Sequence, residues 1–130
     1  MEKIPYVKSL TETCDDAVSD FILDAPIPSG STLFVQHISV EDRTTLAAAV
    51  RIGRGTDELN PHWWEEQLTI AVNTVRWMEK EQHIVLEGQR VILRVDGATV
   101  GDLLFVEIEG YLTEKVKSSG PFKARDRKGE

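Results

Sequence analysis

Residues 103–112 read Leu103-Leu104-Phe105-Val106-Glu107-Ile108-Glu109-Gly110-Tyr111-Leu112. Leu104, Val106, Ile108 and, past Gly110, Leu112 alternate with Phe105, Glu107, Glu109 and Tyr111. Successive side chains of an extended chain point to opposite faces, so this period describes a long β-strand. One face is apolar and the other mostly polar. A strand of that kind lies on a core with one side and meets water with the other, as antiparallel sheets do.

The same grammar extends upstream. His83 to Leu86 and Arg90 to Val95 read as strands, separated by Glu87-Gly88, and Asp96 to Asp102 leads into the strand at Leu103. Val18 to Asp24 is a short strand with both faces partly apolar. Pro26, Pro28 and Gly30 break it, and Pro28-Ser29-Gly30 is good turn chemistry. Leu33 to Val40 follows as a strand, then a polar turn at Glu41-Asp42-Arg43. Thr45 to Ile52 continues the pattern and ends at a turn over Gly53-Arg54-Gly55.

Asn60 to Glu81 carries two signals. Asn60-Pro61 suits a helix cap and first turn, and Trp64, Leu68, Ala71, Val75 and Met78 fall at helical spacing. Leu68, Ile70 and Val72 also alternate, and the β-branched residues there fit a pleated surface. The balance predicts a short helical turn over Pro61–Glu66 followed by strand, with one long helix as the alternative. The chain then divides into an N-terminal arm (1–16), a β-sandwich domain (17–114) and a flexible basic C-terminal tail (115–130). Seven or eight short strands with at most one short helix predict an all-β, antiparallel β-sandwich. The Cys…Trp…Cys spacing of immunoglobulin domains is absent, which favours a jelly-roll-like order.

The 130 residues suffice for one domain with a core of its own. Residues 1–114 carry nine basic and twenty acidic side chains, a net charge of −11, while residues 115–130 carry six and two, a net of +4. An acidic body repels phosphate backbones, so direct nucleic-acid binding is not expected. Apolar runs are short, the longest being Leu46 to Val50, and no membrane association is predicted. The start lacks the apolar region of a secretory signal, and the single Cys14 has no intrachain partner, so a reducing compartment of synthesis is expected.

No catalytic constellation emerges. His37, His62 and His83 lack the paired spacing of a zinc site, so no metal or cofactor is predicted. Cys14 precedes Asp15 and Asp16, charges that raise a thiol pKa and oppose nucleophilicity. Gly53-Arg54-Gly55 lacks the lysine and helix of a phosphate loop. The chain reads as a non-enzyme. Trp63 and Trp64 are adjacent, so an extended or helical backbone sends their rings apart, and one of them is a candidate interface anchor. An exposed Trp can also stack on a sugar, which supports a carbohydrate- or receptor-binding module as the alternative. Trp77 reads as core. The tail residues Lys115, Lys117, Phe122, Lys123, Arg125, Arg127 and Lys128 complete the candidate interface, suited to a neighbouring subunit's acidic surface.

Val85-Leu86-Glu87-Gly88-Gln89-Arg90-Val91, then Asp96-Gly97-Ala98-Thr99-Val100-Gly101-Asp102-Leu103, then Glu109-Gly110-Tyr111 form a recognisable succession. It resembles the small jelly-roll structural proteins of tailed bacteriophages. There a leucine–acid–glycine turn precedes a strand, and a Gly-Asp turn, apolar strand and Gly-Tyr unit close the domain. Ile27-Pro28-Ser29-Gly30 before Leu33–Val40 is similar to their early part. The likeness covers about residues 25–113, and Pro61–Met78 departs from it. The resemblance implies a virion protein made in the host cytoplasm: a capsid cement or decoration protein, or a neck or tail module. It implies other virion subunits as partners (major capsid protein, neck or tail proteins), homo-oligomers with a trimer favoured, and no catalytic residues.

Overall fold

The structure is a computed structural model that describes residues 3–72, 76–78 and 83–114. Its strands are β1 (Lys3–Thr13), β2 (Ser19–Leu23), β3 (Ser31–Asp42), β4 (Ala47–Gly55), β5 (His62–Ile70), β6 (Arg76–Met78), β7 (His83–Val85), β8 (Arg90–Asp96) and β9 (Leu103–Glu114). Among the described residues there is no helix.

Pairing nests from the ends inward: β1 with β9, β2 with β8, β3 with β6 and β7, β4 with β5, all antiparallel. The nested ribbon then folds over itself, so that β9 also pairs with β3 and β8 with β4. Two sheets result. One runs β1-β9-β3, with β6 and β7 in series along the far edge of β3; the other runs β2-β8-β4-β5. This is a β-sandwich with the strand order of a jelly roll.

The alternation that identified the strands also builds the core. Leu104, Val106 and Ile108 of β9 are buried beside Ile38 and Val40 of β3. Val91, Leu93 and Val95 of β8 and Val50 and Ile52 of β4 meet them from the second sheet. Each such side chain withdrawn from water contributes about 1.5–3 kcal/mol. Phe105, Glu107, Glu109 and Tyr111 stand on the outer face, as their alternation predicted.

Two bulges shift the phase of that alternation. In β3 the register skips Gln36, so Leu33 and Val35 are buried before it and Ile38 and Val40 after it. Gly110 lies opposite, where a Cβ would stand 2.0 Å from the Phe34 carbonyl oxygen. In β5 the register skips Trp64, opposite Gly53.

Three expectations need correction. Residues 3–13, read as part of an arm, are an edge strand paired with β9 along its whole length. The helical turn at Pro61–Glu66 does not form, because His62–Ile70 is strand hydrogen-bonded to β4. Its β-branched and aromatic content suits a pleat, and the ladder gives every second backbone group a partner. Gly53-Arg54-Gly55 is the end of β4 rather than a turn, and its glycines admit the close approach of residues 60–63.

Buried polar groups tie the sheets together. Asp24, just past β2, accepts from the Tyr6 hydroxyl and from the Ala25 backbone N–H at 2.7 Å, and pairs with Lys8 at 3.1 Å. Burial first, and then the Asp24 carboxylate, push the Tyr6 phenol above its ordinary pKa. On the opposite side, Arg54 Nη1 donates to the Ile84 carbonyl at 2.6 Å, joining β4 to β7.

Candidate functional site

The antiparallel register gathers the segments 14–18, 43–46 and 97–102 at one end of the sandwich, and backbone hydrogen bonds lock 14–18 to 97–102. Cys14 N–H donates to the Asp102 carbonyl at 2.8 Å, Gly101 N–H to the Cys14 carbonyl at 2.8 Å, and Gly97 N–H to the Ala17 carbonyl at 3.1 Å. Thr45 joins from the third segment through its hydroxyl, which donates to the Asp102 carboxylate and lies 3.0 Å from the Thr99 hydroxyl. Gly97 has a φ of 73° and would bring a Cβ within 2.7 Å of the Ala48 Cβ, so only glycine fits.

Each segment of this braced end presents one exposed aliphatic side chain: Val18, Leu46 and Val100, with Leu103 beside them at the start of β9. Beneath them lie buried acids. Asp42 accepts from the backbone N–H groups of Thr44 at 2.9 Å and Thr45 at 3.2 Å through one oxygen, while its other oxygen has no donor and meets the Asp102 carboxyl. Burial, with the neighbouring acid adding to it, raises the Asp42 pKa; the Thr45 hydroxyl, with Asp42, lowers that of Asp102. Of the two carboxyls, Asp42 is thus the one whose ionisation its surroundings disfavour. Cys14 is buried next to these acids, and burial first, then Asp20, Asp102 and Asp15, raises its thiol pKa. The direction expected from its acidic neighbours holds, with desolvation as the larger cause.

The tryptophan pair divides at the bulge. Gly53 pairs with both Trp63 and Ile92, so these residues share the outer face of the second sheet. Ile92 is fully buried there, although Val91, Leu93 and Val95 of the same strand face inward. Trp63 is half-buried across the gap that Gly53 leaves. Trp64 instead packs against the core edge and stacks on His83, with ring centroids 4.5 Å apart and planes 7° from parallel. Glu65, inward beside Ile52, lies 3.6 Å from His83 Nε2. His62, the first residue of β5, is exposed.

A scan against protein-family models and a search of curated proteins both return no match.

The candidate residues Lys115, Lys117, Phe122, Lys123, Arg125, Arg127 and Lys128 lie outside the described residues, as does the side chain of Trp77, expected in the core. The structure thus brings neither tryptophan to the loop end, and that end was not singled out by sequence reading. Val18, Leu46 and Val100 each sit in a different loop, tens of residues apart, and a lone aliphatic in a polar loop carries no signal by itself. Among the described residues no three metal-ligating side chains converge on one point.

Proposed function

We propose that this chain is a structural protein of a bacteriophage particle, a capsid cement or decoration protein that binds and stabilises neighbouring coat subunits. The observation that carries the reading is the hydrogen-bonded loop end with Val18, Leu46, Val100 and Leu103 exposed on it. A surface held rigid before contact loses little conformational freedom on docking, and exposed aliphatics at that end gain by leaving water. The jelly-roll order and the sequence resemblance are consistent with it. The chain acts by binding rather than by catalysis, as a homo-oligomer with trimers favoured.

Mass spectrometry of gradient-purified particles of the encoding phage should find the chain in amounts comparable to coat subunits. Leu46→Glu combined with Val100→Glu should remove it from particles without lowering its melting temperature. Particles that lack the wild-type chain would overturn the role. One observation favours a second reading, a glycan-binding module of a neck or tail: Trp63 is half-exposed on a sheet face. Glycan-array binding that disappears in Trp63→Ala would select that reading.

A further inference from the structure

Beside the loop end, along the β2 edge, runs a groove of about 530 Å³. Five carboxylates line it, those of Glu12, Asp15, Asp16, Asp20 and Glu58, with Phe21 among them, and among the described residues no basic side chain does. Asp20 is only 4% exposed, and its Oδ2 has no hydrogen-bond donor. A buried oxygen without a donor is expensive to leave so, and although the Asp20 carboxyl also meets Asp15, a cation entering this groove would supply the missing donor. Burial, with Asp15 and Glu12 adding to it, pushes Asp20 up to about 6, the response of a carboxyl that lacks a positive partner. With no three ligands converging on a metal position among the described residues, the fitting occupant is a longer organic cation, such as a lysine or arginine side chain.

We propose that this groove receives the basic tail, residues 115–130, of a second copy of the chain. The tail offers Lys123, Arg125, Arg127 and Lys128 as a close-set cationic run, and Phe122 as an apolar companion for Phe21. Distance argues for the second copy. Glu114 ends β9 at the far end of the sandwich from the 14–18 segment, and the twelve residues of β9 span about 37 Å. Lys123, nine residues beyond Glu114, reaches at most about 32 Å, and Arg125, eleven beyond, about 40 Å, so the chain's own tail would have to run almost straight to bring its basic run to that end. A neighbouring copy meets no such limit. The contact joins copies of this chain and does not depend on the particle role, whose test alters Leu46 and Val100 and leaves the groove intact.

Sedimentation velocity on the full chain tests it, at about 50 mM and about 500 mM salt, across a range of protein concentrations. Arg125→Glu with Arg127→Glu reverses the tail, and Glu12→Lys with Asp15→Lys reverses the groove at exposed positions. Each reversal should weaken self-association about tenfold or more at low salt, with little difference at high salt. Mixing the two reversed proteins, or combining the reversals in one chain, should restore association. If the groove reversal lowers the melting temperature, Glu12→Gln with Asp15→Asn gives the same reading. Association unchanged by either reversal at low salt overturns the proposal. So does failure of the combined reversal to restore it, or a tail effect that does not vary with concentration, which would mean each tail folds onto its own body.

Discussion

A Cβ on Gly53 would stand 2.1 Å from the carbonyl oxygen of His62 and 2.8 Å from the Trp63 Cα. The two strands approach so closely because β5 carries one more residue than β4 at this point, and Trp64 is the extra one. Gly53 is thus what lets Trp63 face outward over Ile92 while Trp64 turns inward to His83. The obstacle is backbone rather than a flexible side chain, so neither partner can step aside. Gly53→Ala should destabilise the fold by about 2–4 kcal/mol, read as a lower urea midpoint with an unchanged slope. Loss of the Trp64 contribution to near-ultraviolet circular dichroism should accompany it.

Tyr6 and Lys8 reach from the first strand to Asp24 on the opposite sheet. Tyr6→Phe keeps the ring and removes the hydroxyl that serves a fully buried carboxylate. The expected loss is about 1–3 kcal/mol in denaturant unfolding, more than the ring's small change in volume can explain. A loss under 0.5 kcal/mol (about the scatter of surface substitutions) would show that the contact carries no weight.

Asp20 sets a pH dependence whose sign runs opposite to that of salt-bridged acids. Its folded-state pKa of about 6 lies above the ordinary carboxylate value, so between about pH 4 and 6 the folded chain binds more protons than the unfolded one. Its contribution is therefore fully present at low pH and lost as the pH rises through 6. Asp20→Asn removes the charge and presents an amide to Asp15. It should raise stability at pH 7 by about 1–2 kcal/mol and flatten the pH profile of the melting temperature between 4 and 6. A less stable variant at pH 7 would contradict this.

Cys14 is buried and its thiol pKa is raised, so the reactive thiolate is scarce in the folded chain. Labelling by a thiol reagent at pH 8 should track global unfolding, accelerating steeply through the urea transition. Rapid stoichiometric labelling in the absence of denaturant would contradict the placement of Cys14 beneath the loop end.

Much of the fold was legible because alternation is local. The period over Leu104–Leu112 and over Val91–Val95 assigns both strand and face without knowledge of a partner. Turn residues marked the breaks at Pro28-Ser29-Gly30 and Glu87-Gly88, where Gly30 and Gly88 take φ values of 83° and 79°. Less was legible around residues 60–70, where helical and strand periods overlap in the same apolar residues, and the choice fell to β4 lying alongside. Residues 3–13 looked like an arm because few of their side chains are buried. An edge strand draws its stability from a neighbour's backbone, which leaves almost no trace in side-chain pattern.

By itself, then, the sequence determined the class of the fold, most of the strands and the separation of an acidic body from a basic tail. Only the tertiary structure decided what stands together. The nested pairing carries residues 14–18 to 97–102 and sets Asp42 against Asp102, and the bulge at Trp64 sends two adjacent tryptophans to different faces. Side-chain period is a property of a few consecutive residues, whereas an exposed loop end and an acidic groove are made by segments that meet only when the sheets close.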